Sequence, residues 1–309
     1  MHAAAYQAYG FSHTYEKLET TPEQLAGRVD DLRRGAYAGL NVTIPHKVAV
    51  LAHVDAIDAS AALAGAANTL VRLPDGRIRA HNTDVPALVA ELSRLSALAS
   101  SLGDQRRRAI VLGSGGAARA AMVALGTGLG CESIDVRARA FRDPLRAHAF
   151  AVEMRDLLAS AHATNVASGV FLPGAPGVPF EQVLAHGTAR VSVQTAPLEP
   201  SDGESHVSIV VQATSCAMTR APGGATTTES IENDGESIAQ AVRWERLPKH
   251  AIALDVVYAP RVTPFIERAQ SCNLHADNGL GMLAHQGALA FQLWLNTEPP
   301  VEIMRRALG

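Results

Sequence analysis

Ala109-Ile110-Val111-Leu112 runs straight into Gly113-Ser114-Gly115-Gly116-Ala117-Ala118, an apolar strand that turns through glycines into a helix. No other stretch of the chain restricts its fold so tightly. Gly113 permits the tight turn, Gly115 lets backbone approach a pyrophosphate, and Ala118 in the third glycine's place keeps the helix close to the strand. The helix N-terminus then presents free N–H groups and a partial positive charge to phosphate. A dinucleotide-binding unit is expected here, with Gly113, Ser114, Gly115, Gly116 and Ala117 as cofactor contacts.

Strand and helix signals alternate around this turn. Apolar runs at 133–136, 207–212 and 251–257 read as strands, and helices are expected from Gly116 and over 145–158. Such alternation predicts a parallel sheet with helices on both faces. Ahead of it, 85–98 carries Leu88, Val89, Leu92 and Leu95 at amphipathic helical spacing and is expected to bridge two units. The first unit mixes signals: an Ala-rich helix over 1–9 ended by Gly10, a strand at 14–18, and a helix opened by Thr21-Pro22. Strands at 38–44, 67–73 and 77–81 follow, with a helix over 47–63 and a turn at Pro74-Asp75-Gly76. Segments 166–205 and 219–237 read as surface insertions. A last helix, from 280 to 295 and on to 308, is expected to return to the first unit. The expected fold class is α/β: an N-terminal α/β substrate domain at 1–84, completed by 279–309, and a Rossmann-type dinucleotide domain at 85–278. Two domains suit a chain of 309 residues, since single cores stop growing near ~250.

Charge and composition narrow the partners. With 27 basic and 30 acidic residues the net charge is -3, which gives no electrostatic reason to expect nucleic acid or an anionic membrane. Cys131, Cys216 and Cys272 lie far apart without a Cys-x-x-Cys, so a reducing, cytoplasmic compartment is expected. Neither a basic leader nor an apolar run of ~18 residues occurs, so no signal peptide or membrane span is expected. The 12 histidines form no compact ligand set, and no metal is expected.

The end of the second dinucleotide-domain strand, Ser133-Ile134-Asp135-Val136-Arg137-Ala138-Arg139, bears on cofactor choice. An acid there would bind the ribose hydroxyls of NAD, whereas arginine suits the extra phosphate of NADP. Arg137, Arg139 and Arg142 favour NADP; Asp135 stands near the place of an NAD-type acid, so NAD stays open. Three polar clusters flank predicted strands of the first unit: Asn41-Val42-Thr43-Ile44-Pro45-His46-Lys47, Gly65-Ala66-Ala67-Asn68-Thr69 and His81-Asn82-Thr83-Asp84. Lys47, Asn68 and Asp84 can therefore converge at one sheet edge.

Taken in order, these segments resemble the shikimate dehydrogenase family, as do Asp255-Val256-Val257-Tyr258-x-Pro260 with Thr263-Pro264 and Gly279-Leu280-Gly281-Met282-Leu283-x-His285-Gln286. The match spans nearly the whole chain apart from the two insertions. The resemblance implies an NADP-dependent enzyme that reversibly reduces 3-dehydroshikimate to shikimate, with Lys47 and Asp84 as the catalytic pair. It implies Asn41, Thr43, Asn68, Tyr258 and Gln286 as hydrogen-bond partners of a small polyhydroxylated substrate. Val256 and Gly279 match positions at the nicotinamide, and Thr214 and Ser215 lie on a loop facing the cofactor. A monomer or homodimer is expected. Two alternatives stay open: an NAD-using quinate/shikimate dehydrogenase and a non-catalytic nucleotide-binding relative.

The sequence departs from the family pattern in places. Family members open with a strand and His-Ser-x-Ser-Pro ahead of a Met-His-Asn segment, whereas this sequence opens at Met1-His2-Ala3. The expectation is a natural start upstream of Met1. Without the two serine hydroxyls, binding of a substrate carboxylate would weaken by ~3–6 kcal/mol. Gln212-Ala213-Thr214-Ser215-Cys216-Ala217-Met218 replaces a usual Asn-Ala-Thr-Ser-x-Gly-Met, and the arginine loop lacks the usual Asn-Arg-Thr.

Overall fold

Apolar runs pair into two separate sheets in the computed structural model, which describes residues 1–99, 107–163, 191–216 and 228–309. The smaller sheet is mixed, in the order β1-β3-β4-β2, from β1 (Gly39–Asn41), β2 (Ala56–Ile57), β3 (Thr69–Arg72) and β4 (Ile78–His81). Residues 74–76 close the β3–β4 hairpin: Gly76 takes φ +85°, and Asp75 Oδ1 accepts the Arg77 N–H at 3.0 Å. Alternation along the hairpin sends Leu70, Ile78 and Ala80 to one face. There they meet Leu25, Val29 and Leu32 of α2 (Leu25–Arg33). The segment before α2 is a short 3₁₀ turn at Pro22–Gln24, where Gln24 Oε1 accepts the Thr21 N–H at 2.9 Å.

The larger sheet has six strands, all parallel, in the order β10-β9-β8-β5-β6-β7. These are β5 (Arg107–Leu112), β6 (Cys131–Arg137), β7 (Ser192–Ala196), β8 (Ile209–Gln212), β9 (Ile252–Asp255) and β10 (His275–Asp277). Relabelled in chain order this is 3-2-1-4-5-6 read from the β7 edge, the Rossmann arrangement. β5, β8 and β9 are covered on both faces, which explains their unbroken apolar runs. One face packs on α4 (Asp84–Leu98), α5 (Gly116–Val123) and α6 (Pro144–Ala163) through Leu88, Leu92, Met122 and Met154. The other packs on α7 (Thr228–Ala239) and α8 (Pro264–Ser271) through Ile238, Trp244 and Phe265. Each fully buried Leu or Phe stabilises by about 1.5–3 kcal/mol. α4 links the two sheets, and α9 (Leu280–Leu295) packs against it. No helix among the described residues is long and apolar enough to cross a membrane.

Four expectations are corrected. Residues 14–18 form no strand: Thr14, Tyr15, Glu16 and Leu18 line a cavity of about 870 Å³ beside β1, and no strand among the described residues pairs with them. The helix expected over 47–63 divides into a 3₁₀ turn at Ala49–His53, strand β2 and α3 (Ala59–Ala64), because Asp58 caps a new helix by accepting the Ser60 N–H at 2.9 Å. The two insertions contain regular elements: 192–196 is edge strand β7, and 228–239 is α7, while 164–190 and 217–227 lie outside the described residues. The last helix stops at Asn296, which takes a left-handed φ of +47° ahead of Pro299-Pro300, and α10 (Val301–Arg306) starts afresh. α1 (His2–Ala8) closes over α9 and α10 through Tyr6, Phe291 and Met304.

Candidate active site

Leaving β1, the chain passes Thr43 and reaches Lys47, whose carbonyl accepts the Ala67 N–H at 2.7 Å and so ties it to the Gly65–Asn68 turn. The lysine stem lies on the first turn of α5. A Cβ on Gly116 would come within 2.7 Å of Lys47 Cβ, so only glycine allows this approach. Lys47 Nζ donates to Asp84 Oδ2 at 2.6 Å, with the side chains 14% and 4% exposed. Asp84 opens α4 and is held there by Asn82. The Asn82 Oδ1 accepts the N–H groups of Asp84 at 3.0 Å and Val85 at 3.2 Å, while Asn82 Nδ2 donates to the Ala66 carbonyl at 2.8 Å.

Asn68 completes the carboxylate's surroundings. Its Nδ2 donates to Asp84 Oδ1 at 2.8 Å and to Thr83 Oγ1 at 2.9 Å, and Gln286 Oε1 stands 3.4 Å away. Its Oδ1 accepts the Thr83 N–H at 2.8 Å. Asn41 joins through Nδ2, which donates to the Asn68 carbonyl and to Thr69 Oγ1, each at 3.2 Å. Lys47, Asp84, Asn68, Asn41 and Gln286 are thus one connected network drawn from β1, the turn after it, the residue before β3, α4 and α9. Thr43 is exposed beside it, and Tyr258 is half-exposed on the loop after β9. That loop is anchored by Asp255: its Oδ1 accepts the Val257 N–H at 2.9 Å and its Oδ2 the Thr263 hydroxyl at 2.6 Å. Burial pushes the Asp255 carboxyl up to about 7, against the lowering effect of these two bonds. Sequence reasoning assigned no role to Tyr15, which reaches across from the 11–20 loop and donates to Asn41 Oδ1 at 2.9 Å. No local signal marks it; only the fold brings it there.

The glycine turn lies at the C-terminal end of β5, where the order of the parallel sheet reverses. Gly113 takes φ +120° and lies against Ala213 and Thr214 at the end of β8. A Cβ on Gly115 would meet nothing within 4 Å, so its backbone stands open to an approaching phosphate at the α5 N-terminus. Ser114 and Ala117 flank it, partly exposed. Val256 and Gly279 meet on the far side of this crevice: the Gly279 N–H donates to the Val257 carbonyl at 3.1 Å, and a Cβ on Gly279 would overlap the Val256 carbonyl. These residues fit a dinucleotide, whose phosphates an open glycine backbone at a helix N-terminus can hold.

Arg137 does not belong to that crevice, which corrects its expected role. Only 1% of its side chain is exposed. Its guanidinium donates to Asp135 Oδ2 at 2.8 Å, Glu204 Oε1 at 2.6 Å, the Ala241 carbonyl at 2.6 Å and Ser201 Oγ at 3.0 Å. Glu204 is itself fully buried, so the pair joins β6 to the turn before β8. Arg137→Ala is expected to destabilise the protein by about 3–5 kcal/mol, because a buried carboxylate loses its cation. Urea unfolding measures this; unchanged stability with altered cofactor preference would contradict it. Arg139 is different. It is 52% exposed, beyond the end of β6, and pairs with Asp234 of α7 at 2.7 Å, while Arg142 is more exposed still.

Comparison with known proteins places the chain beside shikimate dehydrogenases. The model of the shikimate dehydrogenase substrate binding domain matches residues 1–70, and that of the shikimate 5'-dehydrogenase C-terminal domain matches 279–308. The NADP(+) shikimate dehydrogenase of Citrifermentans bemidjiense is 33% identical, over 100% of this chain and 89% of that protein. Shikimate 5-dehydrogenase from Thermus thermophilus, solved in complex with NADP(H) and shikimate, superposes with a TM-score of 0.67 at 30% identity, covering 99% of this chain and 91% of the other. Quinate dehydrogenase from Corynebacterium glutamicum, in complex with NAD, shares the fold with a TM-score of 0.70 at 24% identity, covering 99% and 91%.

Proposed function

The chain belongs to the shikimate dehydrogenase family of NAD(P)-dependent dehydrogenases, and on that premise we propose that it interconverts 3-dehydroshikimate and shikimate with NADP(H). One observation carries the reading: the Lys47–Asp84 pair, with the lysine stem seated on Gly116 of the glycine turn. A proton donor is thereby fixed beside the place where a cofactor's phosphates enter. When bound, the reduced nicotinamide supplies a hydride to the ketone carbon. The ketone oxygen then gains negative charge, and an ammonium hydrogen-bonded to it stabilises and protonates it. Asp84 keeps Lys47 pointed at that oxygen, and Asn68 holds Asp84 by its other carboxylate oxygen. In the reverse direction Lys47 receives the proton from the carbinol.

In this reading residues 1–84 with 279–309 recognise the substrate, and 85–278 hold the cofactor. Asn41, Thr43, Asn68, Tyr258 and Gln286 offer the amides and hydroxyls that a polyhydroxylated ring requires. Gly113, Ser114, Gly115, Gly116 and Ala117 take the pyrophosphate, while Thr214, Val256 and Gly279 border the nicotinamide side. Arg139 takes the 2′-phosphate, exchanging Asp234 for it. Arg139→Ala is expected to raise KM for NADPH about tenfold and leave KM for NADH unchanged, since a hydrogen-bonded charge contributes about 1.5–3 kcal/mol. Equal effects on both cofactors would sink the assignment.

The burial of Arg137 favours a second reading. With that guanidinium engaged inside, fewer cations remain to select the phosphate, and an NAD-using quinate/shikimate dehydrogenase becomes the rival. Initial rates with shikimate and quinate, each with NADP and NAD, separate the two. Turnover highest with shikimate and NADP supports the first; turnover highest with quinate and NAD supports the second. No turnover with any of the four pairs would leave a nucleotide-binding relative.

A further inference from the structure

Glu91 lies seven residues after Asp84 on α4, two helical turns along the same face, yet it touches neither the substrate residues nor the glycine turn. It is 1% exposed. Three elements converge on its carboxylate. Gly281 of α9 lies directly over it, so close that a Cβ there would overlap the carboxylate. His285, one turn further along α9, brings Nε2 to 3.2 Å of Oε1 without a formed hydrogen bond, because that nitrogen faces the Arg305 guanidinium of α10 at 3.0 Å; Arg305 itself stands 3.7 Å from Oε1. Arg94 donates to Oε2 at 2.9 Å and pairs in turn with Asp277 of β10. Burial raises the Glu91 carboxyl, but the neighbouring His285 ring and Arg94 guanidinium outweigh it and hold the group below the usual carboxylate range. With Arg94 and Arg305 beside it and Gly281 packed over it, the buried carboxylate is held in one geometry.

The residue after His285 is Gln286, whose Oε1 faces Asn68 Nδ2 at 3.4 Å. We infer that Glu91 is a positioning residue: by packing under Gly281 and against His285 it sets where α9 crosses α4, and so where Gln286 meets the substrate. The inference rests on the proposed substrate role of Gln286. The cofactor side of α9 is held independently, since Gly279 is bonded to the Val257 carbonyl. Disturbing Glu91 therefore affects the substrate more than the cofactor.

The test uses Glu91→Gln, which keeps size and removes charge, with His285→Gln as a second route to the same contact. Each is measured for kcat, KM for shikimate, KM for NADP and Tm, alone and combined with Gln286→Ala. Misplacing a binding group from a distance costs up to about a hundredfold, so KM for shikimate is expected to rise about tenfold with KM for NADP within twofold. Combined with Gln286→Ala, neither variant is expected to raise KM for shikimate beyond that of Gln286→Ala alone. A fall in Tm with KM for shikimate unmoved in both variants, or effects that multiply with Gln286→Ala, overturns the inference. If Gln286→Ala itself leaves KM for shikimate unchanged, the substrate role of Gln286 fails first. If Gln286→Ala raises it and both Glu91→Gln and His285→Gln are silent, only the positioning role fails.

Discussion

Lys47→Ala lowers kcat by between about a hundredfold and ten-thousandfold, the range that a positioned proton donor contributes, while the affinity for NADP stays within twofold. The first half of this expectation follows from the 2.6 Å contact with Asp84, which fixes the ammonium in the network shared by Asn68, Asn41 and Gln286. The second follows from the glycine turn, whose backbone does not depend on the lysine head; only the stem meets Gly116. Asp84 still has the Asn68 amide 2.8 Å from its Oδ1, yet a buried carboxylate without its cation costs about 3–5 kcal/mol, so Tm also falls. Steady-state kinetics with fluorescence titration of NADPH separates the effects. Wild-type kcat in the variant would remove Lys47 from the chemistry, and parallel loss of cofactor affinity would make it a cofactor ligand instead.

Gly115→Val produces the opposite division: a folded protein that no longer binds cofactor. Gly115 takes φ -81°, open to any residue, and a Cβ there meets nothing within 4 Å. Valine is a poorer N-cap than glycine, which costs about 1 kcal/mol and lowers Tm by a few degrees. In the same open space the isopropyl group keeps phosphate from the α5 backbone. Losing two hydrogen bonds to a charged group, at about 1.5–3 kcal/mol each, weakens NADP binding by at least about a hundredfold. Calorimetric titration against the wild type reads this directly. Unchanged affinity would mean that phosphate does not approach Gly115, and the glycine turn would lose its assigned role.

The two substitutions act on features of unequal visibility in the sequence. The glycine turn was legible because its parts are contiguous: strand, turn and helix occupy ten consecutive residues, and β5 and α5 form where the pattern places them. The convergence of Asn68 and Asp84 was legible because each stands at the edge of a regular element, and antiparallel pairing of β3 with β1 and β4 brings those ends together; Lys47 arrives on the turn that follows β1. Arg137 misled for a physical reason. Position in the strand says that a side chain is near the crevice, but alternation decides which way it points, and its partner Glu204 comes from 67 residues away. Residues 14–18 have strand composition, yet a strand needs a neighbour, and none pairs with them. Tyr15 and Glu91 carry no motif; their contacts with Asn41 and with α9 exist only once the chain has folded.

The most direct measurement is a crystal structure with NADP and shikimate bound. The account predicts the carbinol oxygen within about 3 Å of Lys47 Nζ, the hydrogen-bond reach that proton transfer requires, with Asp84 still in contact and the nicotinamide ring facing the same carbon. Shikimate bound instead in the cavity beside Thr14 and Leu40, with Lys47 touching only Asp84, would contradict it.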